Sequence, residues 1–301
     1  MNVFFADIVN AACSTGGDTS TFADGVNVFQ EFDRRTSGDE IFSKLREWRQ
    51  EVHKWGHTNR VMFDADKEHL VVIHPLHAQG DPFKLLGLLT DCKLVMNDAV
   101  DSILAKVRPK IAAILRTRGH YDTATLMQPF KTHVWGLMEC HSGGIFHAST
   151  TLLNKIDGTH RRFLRDLGVS EAAAFLEHNF APPTLRRNIG ILGALHKRVL
   201  GKSHPMMEKL LQFWIDRFGP ARAGKHSKQL YGSFLEVQAQ YQLYQRSIFG
   251  MCCTYNNLAQ HVVDVPTVNE FQALLIKDVR SRCEAGHANW MYSFDLRGRR
   301  G

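Results

Sequence analysis

The sequence predicts an α+β fold in which a short strand-rich N-terminal part gives way to a long succession of helices. Two observations carry this. Before about residue 92 the apolar residues mostly come in brief β-type runs, and from Asn97 onward they recur at spacings of three and four. At 301 residues, 44% hydrophobic and 22% charged, the chain has the composition of a globular protein and the length for two or three units. The expected division is 1–92, 93–200 and 201–301, with a linker near 219–227, where Gly219-Pro220 leads into a polar, basic stretch.

Taken in order, TSTFADGVNVFQEF (19–32) reads as two short apolar runs around Asp24-Gly25, the turn chemistry of a β-hairpin with the aspartate at its tip. Ile41, Phe42, Leu45, Trp48 and Val52 then give a helical period over Gly38 to Trp55, with Asp39 near its start. Val61 with Phe63, Leu70 to Ile73 and Phe83 to Leu89 predict three further short strands. Val100, Ile103, Leu104, Val107, Ile111, Ile114 and Leu115 form one helical stripe, in which Pro109 predicts a kink or a second helix start. Further helices are expected over Thr123–Met138, Thr151–Asp166, Glu171–Phe180, Thr184–Leu200, Pro205–Phe218 and Thr267–Cys283.

Charge is unevenly spread behind a formal net charge of +7 and a pI near 9.1. From Met1 to Glu40 there are seven acids against two bases, whereas Ser102 to Arg118 carries Lys106, Arg108, Lys110, Arg116 and Arg118 with no acid. His178 to Met207 is a second acid-free stretch, with Arg186, Arg187, Lys197, Arg198 and Lys202. A carboxylate site for cations beside phosphate-holding surfaces is one reading, and solvated helix faces are the other; charge alone does not choose between them. The six cysteines are scattered without a C-x-x-C pair, which predicts reduced thiols rather than a disulfide framework or zinc ribbon. No apolar run approaches the ~18 residues of a membrane span, and Met1–Cys13 lacks the basic flank of a secretory signal. An intracellular protein, nuclear or cytoplasmic and without a membrane partner, is expected.

A hairpin tip bearing carboxylates is half of a two-metal nucleotidyl-transfer device, in which divalent ions activate a 3′ hydroxyl and neutralise pyrophosphate. Here the tip reads Phe22-Ala23-Asp24-Gly25. It resembles the F-A-D-D or Y-A-D-D hairpin of reverse transcriptases of non-LTR (LINE-type) retrotransposons. The resemblance continues in order along the chain. Asn2 to Asp7 resembles the helix preceding that hairpin, Asn59 to Glu68 the motif that carries a triphosphate-assisting lysine, here Lys67, and FKLLGLLTD (83–91) the primer-grip strand around Gly87. Arg187 to Lys197 resembles the R-R-D-I-x-x-L-G-x-I-H-R pattern beyond the thumb, and Tyr255 to Leu258, followed by Val262-Val263 and Val268 to Phe271, the terminal W-N-x-L-P…V-x-x-F pattern.

The resemblance implies a partial polymerase palm followed by a helical thumb-like region and a helical C-terminal region. It implies an RNA template and a DNA primer as partners and Mg2+ as cofactor. Asp24 would be the metal ligand and catalytic carboxylate, Lys67 would assist the triphosphate, and Gly87 with the five bases from Lys106 to Arg118 would contact nucleic acid. Two departures set this sequence apart. Gly25 stands where the family keeps its second hairpin aspartate, and the motif carrying its first metal-binding aspartate has no counterpart among these residues. With one carboxylate of three, a catalytically inactive remnant is expected, and a non-catalytic nucleic-acid-binding or helical interaction module is the alternative.

Rival motifs fail on spacing. Gly201-Lys202-Ser203 ends like a P-loop, but His196 stands where its first glycine belongs, and a helix C-cap is expected there instead. His53 and His57 share a helical spacing without a third ligand for zinc.

Overall fold

The computed structural model describes residues 6–13, 16–22, 25–33, 35–74, 76–220, 224–232 and 241–295. About 60% of the chain is helical, with a few small antiparallel sheets, so the class is α+β. The chain forms two units, Met1–Phe83 with Asp91–Leu94, and Lys84–Thr90 with Val95–Gly301.

In the first unit helix α1 (Ala6–Cys13) packs on α2 (Gly38–Asn59), and strands β1 (Asp18–Phe22) and β2 (Gly25–Phe29) pair antiparallel from Asp18↔Phe29 to Phe22↔Gly25. A capping box starts α2. The Ser37 hydroxyl accepts from the Glu40 amide at 3.2 Å, and the Glu40 carboxylate accepts from the Ser37 amide at 3.0 Å. Leu45 and Trp48 are the large apolar side chains that α2 buries. The helix runs a turn further than the sequence predicts and stops at Arg60 in the left-handed region (φ 57°).

The strands expected at Val61/Phe63 and Leu70–Ile73 do not form. The first stretch has no partner strand, and the Asp64 side chain instead accepts from the Asp66 amide at 3.2 Å, capping a 3-10 turn over Ala65–Lys67. The second contributes only the isolated bridge Val72↔Gln79.

The segment predicted as one strand, which from Lys84 belongs to the second unit, is split into β3 (Phe83–Leu85) and β4 (Leu88–Thr90), paired around Leu86-Gly87. Helix α3 (Asn97–Arg116) buries Val100, Ile103, Leu104, Val107 and Ile111 of the predicted stripe, with Ile114 and Leu115 partly buried. It runs through Pro109, whose position is exposed, as is that of Ala105, so the carbonyl that proline leaves without a donor meets water. The helix expected over Thr123–Met138 is α4 (Thr123–Phe130), a π-helical segment (Lys131–Trp135) and α5 (Gly136–Glu139). After the short α6 (Ser142–Ile145) come α7 (Thr150–Asp166), capped by Ser149, α8 (Glu171–His178), capped by Ser170, and α9 (Pro183–Val199). α9 is buried on most of its circumference and packs against α5, α6 and α7 as well as against α13 (Ile248–Tyr255) and α15 (Val268–Glu284). It thereby adjoins both apolar clusters of this unit, one built on α3, α4 and α7, the other on α9, α13 and α15.

The predicted helix Pro205–Phe218 is interrupted. α10 (Pro205–Leu210) and α11 (Trp214–Phe218) flank β5 (Leu211–Phe213), which pairs with β6 (Leu230–Gly232). Residues 221–223 of the expected linker lie outside the described residues. The part that follows is no free linker: His226 and Gln229 are buried, and His226 Nε2 donates to the Tyr255 carbonyl at 3.0 Å. The remaining described elements are α12 (Tyr241–Arg246), α14 (Gln260–Val263) and a 3-10 turn over Trp290–Tyr292.

Candidate nucleic-acid interface and catalytic positions

The hairpin that carries the candidate catalytic aspartate is present, but its turn is placed one residue earlier than the sequence suggests. Phe22 pairs directly with Gly25, so the connection is 23–24 rather than Asp24-Gly25. Asp24 itself lies outside the described residues. Asp7 and Asp18 are exposed, and among the described residues no three His, Cys, Asp or Glu side chains gather as a metal site. Asp24 alone does not make the ligand set that a pair of Mg2+ ions needs.

Lys67 closes the 3-10 turn, and its Nζ reaches Asp64 Oδ2 at 3.0 Å. The pair is local and open to water, with Lys67 82% exposed. That contact, followed by the Asp66 amide, holds the Asp64 carboxyl below the usual carboxylate range. Glu68, next in the chain, accepts from Arg49 Nε at 2.7 Å and lies 2.8 Å from His53 Nε2, so this histidine of the i, i+4 pair meets a carboxylate from outside its helix.

Gly87 (φ +82°) and Leu86 (φ +49°) are both left-handed, the geometry of a two-residue type I′ hairpin turn. The first position departs from the usual chemistry, since Leu86 carries a Cβ into a conformation that asparagine, aspartate and glycine favour. A Cβ at Gly87 would come 3.6 Å from His141 Cε1, an ordinary contact, so backbone conformation rather than crowding calls for glycine there. Leu86 projects from the turn at 62% exposure.

The two acid-free basic stretches have opposite fates. Lys106, Arg108, Lys110, Arg116 and Arg118 are all exposed, and among the described residues no ion pair or hydrogen bond engages their side chains. At about 100° per residue, Lys106 and Lys110 lie about 40° apart on one flank of the α3 stripe, Arg108 on the other flank, and Arg116 behind. Arg118 follows the helix end. The bases therefore surround the solvent side rather than forming a single row.

The second stretch is largely internal. Arg187 makes a two-pronged pair with Asp157 at 2.9 and 2.8 Å, with side chains only 4% and 8% exposed. Arg198 Nε donates to the Leu211 carbonyl at 2.9 Å, and its guanidinium lies 4.7 Å from the Phe213 ring centre. Arg186 pairs with Glu139 and lies 3.8 Å from the Trp135 ring centre. Only Lys197 and Lys202 of this group remain exposed. Lys202 follows the α9 cap, where Gly201 (φ +67°) lets the Lys202 amide reach the Lys197 carbonyl at 3.1 Å, as expected of a helix end and not of a phosphate loop.

Sequence reasoning missed the polar interior of α9. His196 is fully buried and satisfied on both sides: Nε2 donates to the Val265 carbonyl at 3.1 Å, so Nδ1 accepts from the Tyr255 hydroxyl at 3.0 Å. Burial holds both His196 and His226 below the ordinary imidazole range. Buried Cys252 and Cys283 have thiols pushed up by burial, which keeps them protonated and unreactive.

Comparison with protein-family models, with curated proteins and with solved structures finds no match for this chain.

Proposed function

We propose that this chain derives from the RNA-directed DNA polymerase of a non-LTR retrotransposon and is inactive as a polymerase by itself. The ordered series of motifs from Asn2 to Leu275 carries the reading. Two local geometries are compatible with it: an antiparallel hairpin joined at 23–24, and a tight turn at Leu86-Gly87. Asp24 would hold magnesium, Lys67 would assist a triphosphate, and the Gly87 turn would steady a primer. Gly25 removes one carboxylate from that set. Primer extension on an RNA template with magnesium or manganese should give no incorporation. Template-dependent synthesis that disappears in Asp24→Ala would overturn the inactivity.

The exposed, unpaired bases of α3 favour a second reading, a nucleic-acid-binding module without catalysis, whose ligand is an RNA/DNA hybrid. Lys106 and Lys110, being neighbours, would meet one strand together. Binding should weaken steeply with salt, and replacing both lysines should reduce the slope of log K against log[salt] by about 1 to 2. Flat salt dependence sinks this reading.

A further inference from the structure

One side chain of the helical unit has no place in either reading. His160 on α7 is fully buried, and neither ring nitrogen has a hydrogen-bond partner. Its ring stacks on Phe180 at 4.8 Å between centroids and 14° between planes, and meets the edge of Phe130 at 5.9 Å. Phe180 in turn stacks on Trp135 at 5.0 Å, and the Arg186 guanidinium lies over Trp135. An unbroken series of stacked groups thus leads from a partly exposed arginine to an imidazole in the core, joining α4, the π segment, α7 and α9.

The surroundings accept a neutral ring and offer nothing to a charged one. On its own helix Asp157 is committed to Arg187, and Arg161 is a like charge. On α9, Arg186 and Arg187 are cationic, and on α5 Glu139 is taken by Arg186. Lys131 on the π segment donates to the His178 carbonyl at 2.6 Å, α4 carries no charged residue, and Glu171 on α8 is half-buried with its carboxyl pushed up by burial.

We infer that His160 is an acid-sensitive lock: protonating its imidazole expels the ring from between Phe130 and Phe180 and loosens the packing of α4, α7 and α9. The proton enters as hydronium-derived charge on a ring nitrogen that has no acceptor to share it with, so the charged form is stable only once the ring reaches water.

The direction of the pH effect follows. Burial, then Arg161 and Arg186, hold the folded-state pKa down to about 3 from an ordinary 6.5. Below the ordinary value the unfolded chain therefore binds the extra proton, and stability falls as pH drops. This single group raises the unfolding constant about tenfold per pH unit through that window.

The test is urea unfolding of the full chain between pH 7.5 and 4.5, followed by far-UV circular dichroism, for the wild type and His160→Phe. The wild-type unfolding constant should rise about 100-fold more than that of the variant, the remaining acid response, including His196 and His226, being common to both. Equal pH dependence overturns the inference. Should the variant not fold, imidazole NMR on the wild type decides: a ring that stays neutral to pH 5 supports the lock, and one that titrates near 6.5 refutes it.

Discussion

The two units are built on different balances of apolar surface. Among the described residues the first buries Ile8, Leu45, Trp48 and Cys92, and exposes Phe22, Phe29, Met62, Ile73 and Leu76. Both large apolar clusters belong to the second, with Phe130, Phe163, Phe175, Phe180 and Phe271 at or near zero exposure. A two-stranded hairpin and two helices cannot enclose a core of that kind, because each strand pair buries one face and leaves both edges open. The lesson is that local signals make elements, but only a sufficient number of elements makes an interior.

The largest expected contrast comes from matched truncations. Phe163→Ala in the second unit should cost about 3 to 5 kcal/mol in chemical denaturation, while Phe22→Ala, already 65% exposed, should stay within about 0.5 kcal/mol. Similar costs for the two would break the comparison. Next, removing one member of the Asp157–Arg187 pair, as in Asp157→Ala, should cost about 3 kcal/mol or more by stranding a buried charge, whereas the double change Asp157→Leu with Arg187→Met should recover most of it. If the double variant is no better than the single, the pair is worth more than its desolvation penalty. A smaller effect sharpens the first unit: Ser37→Ala, which deletes the α2 cap, should cost about 1 kcal/mol. Hydrogen exchange then ranks the units directly, with α9 amides outlasting those of α2.

The elements that were legible in the sequence are those whose causes are local. The apolar period from Ile41 to Val52 marks α2, although its Ser37–Glu40 capping box went unread, and the α3 stripe repeats often enough to survive Pro109. The strands expected near Val61 and Leu70 do not form because a strand exists only through a partner, and among the described residues the first finds none and the second a single bridge. The fate of the basic residues was hidden for a related reason. Nothing near Arg187 distinguishes it from Arg116; its burial is decided by Asp157, 30 residues away, which a reading of local charge cannot see. Of the candidate site, the hairpin could be anticipated from turn chemistry, though one residue out of place, and the exposure of the α3 bases from their phase against the stripe. The splitting of Phe83–Leu89 into two strands could have been found from Gly87, had its left-handed preference outweighed the continuous apolar run.

The π segment between α4 and α5 has a genealogical consequence. A π turn is what an α-helix becomes when one extra residue is accommodated without breaking the rod. Everything beyond Lys131–Trp135 is therefore phased as though a residue had been inserted, and a one-residue deletion there would turn the following segment back by about 100°. Shortening the chain at this point would swing the rod's far end, with the Glu139 that meets Arg186, away from α9.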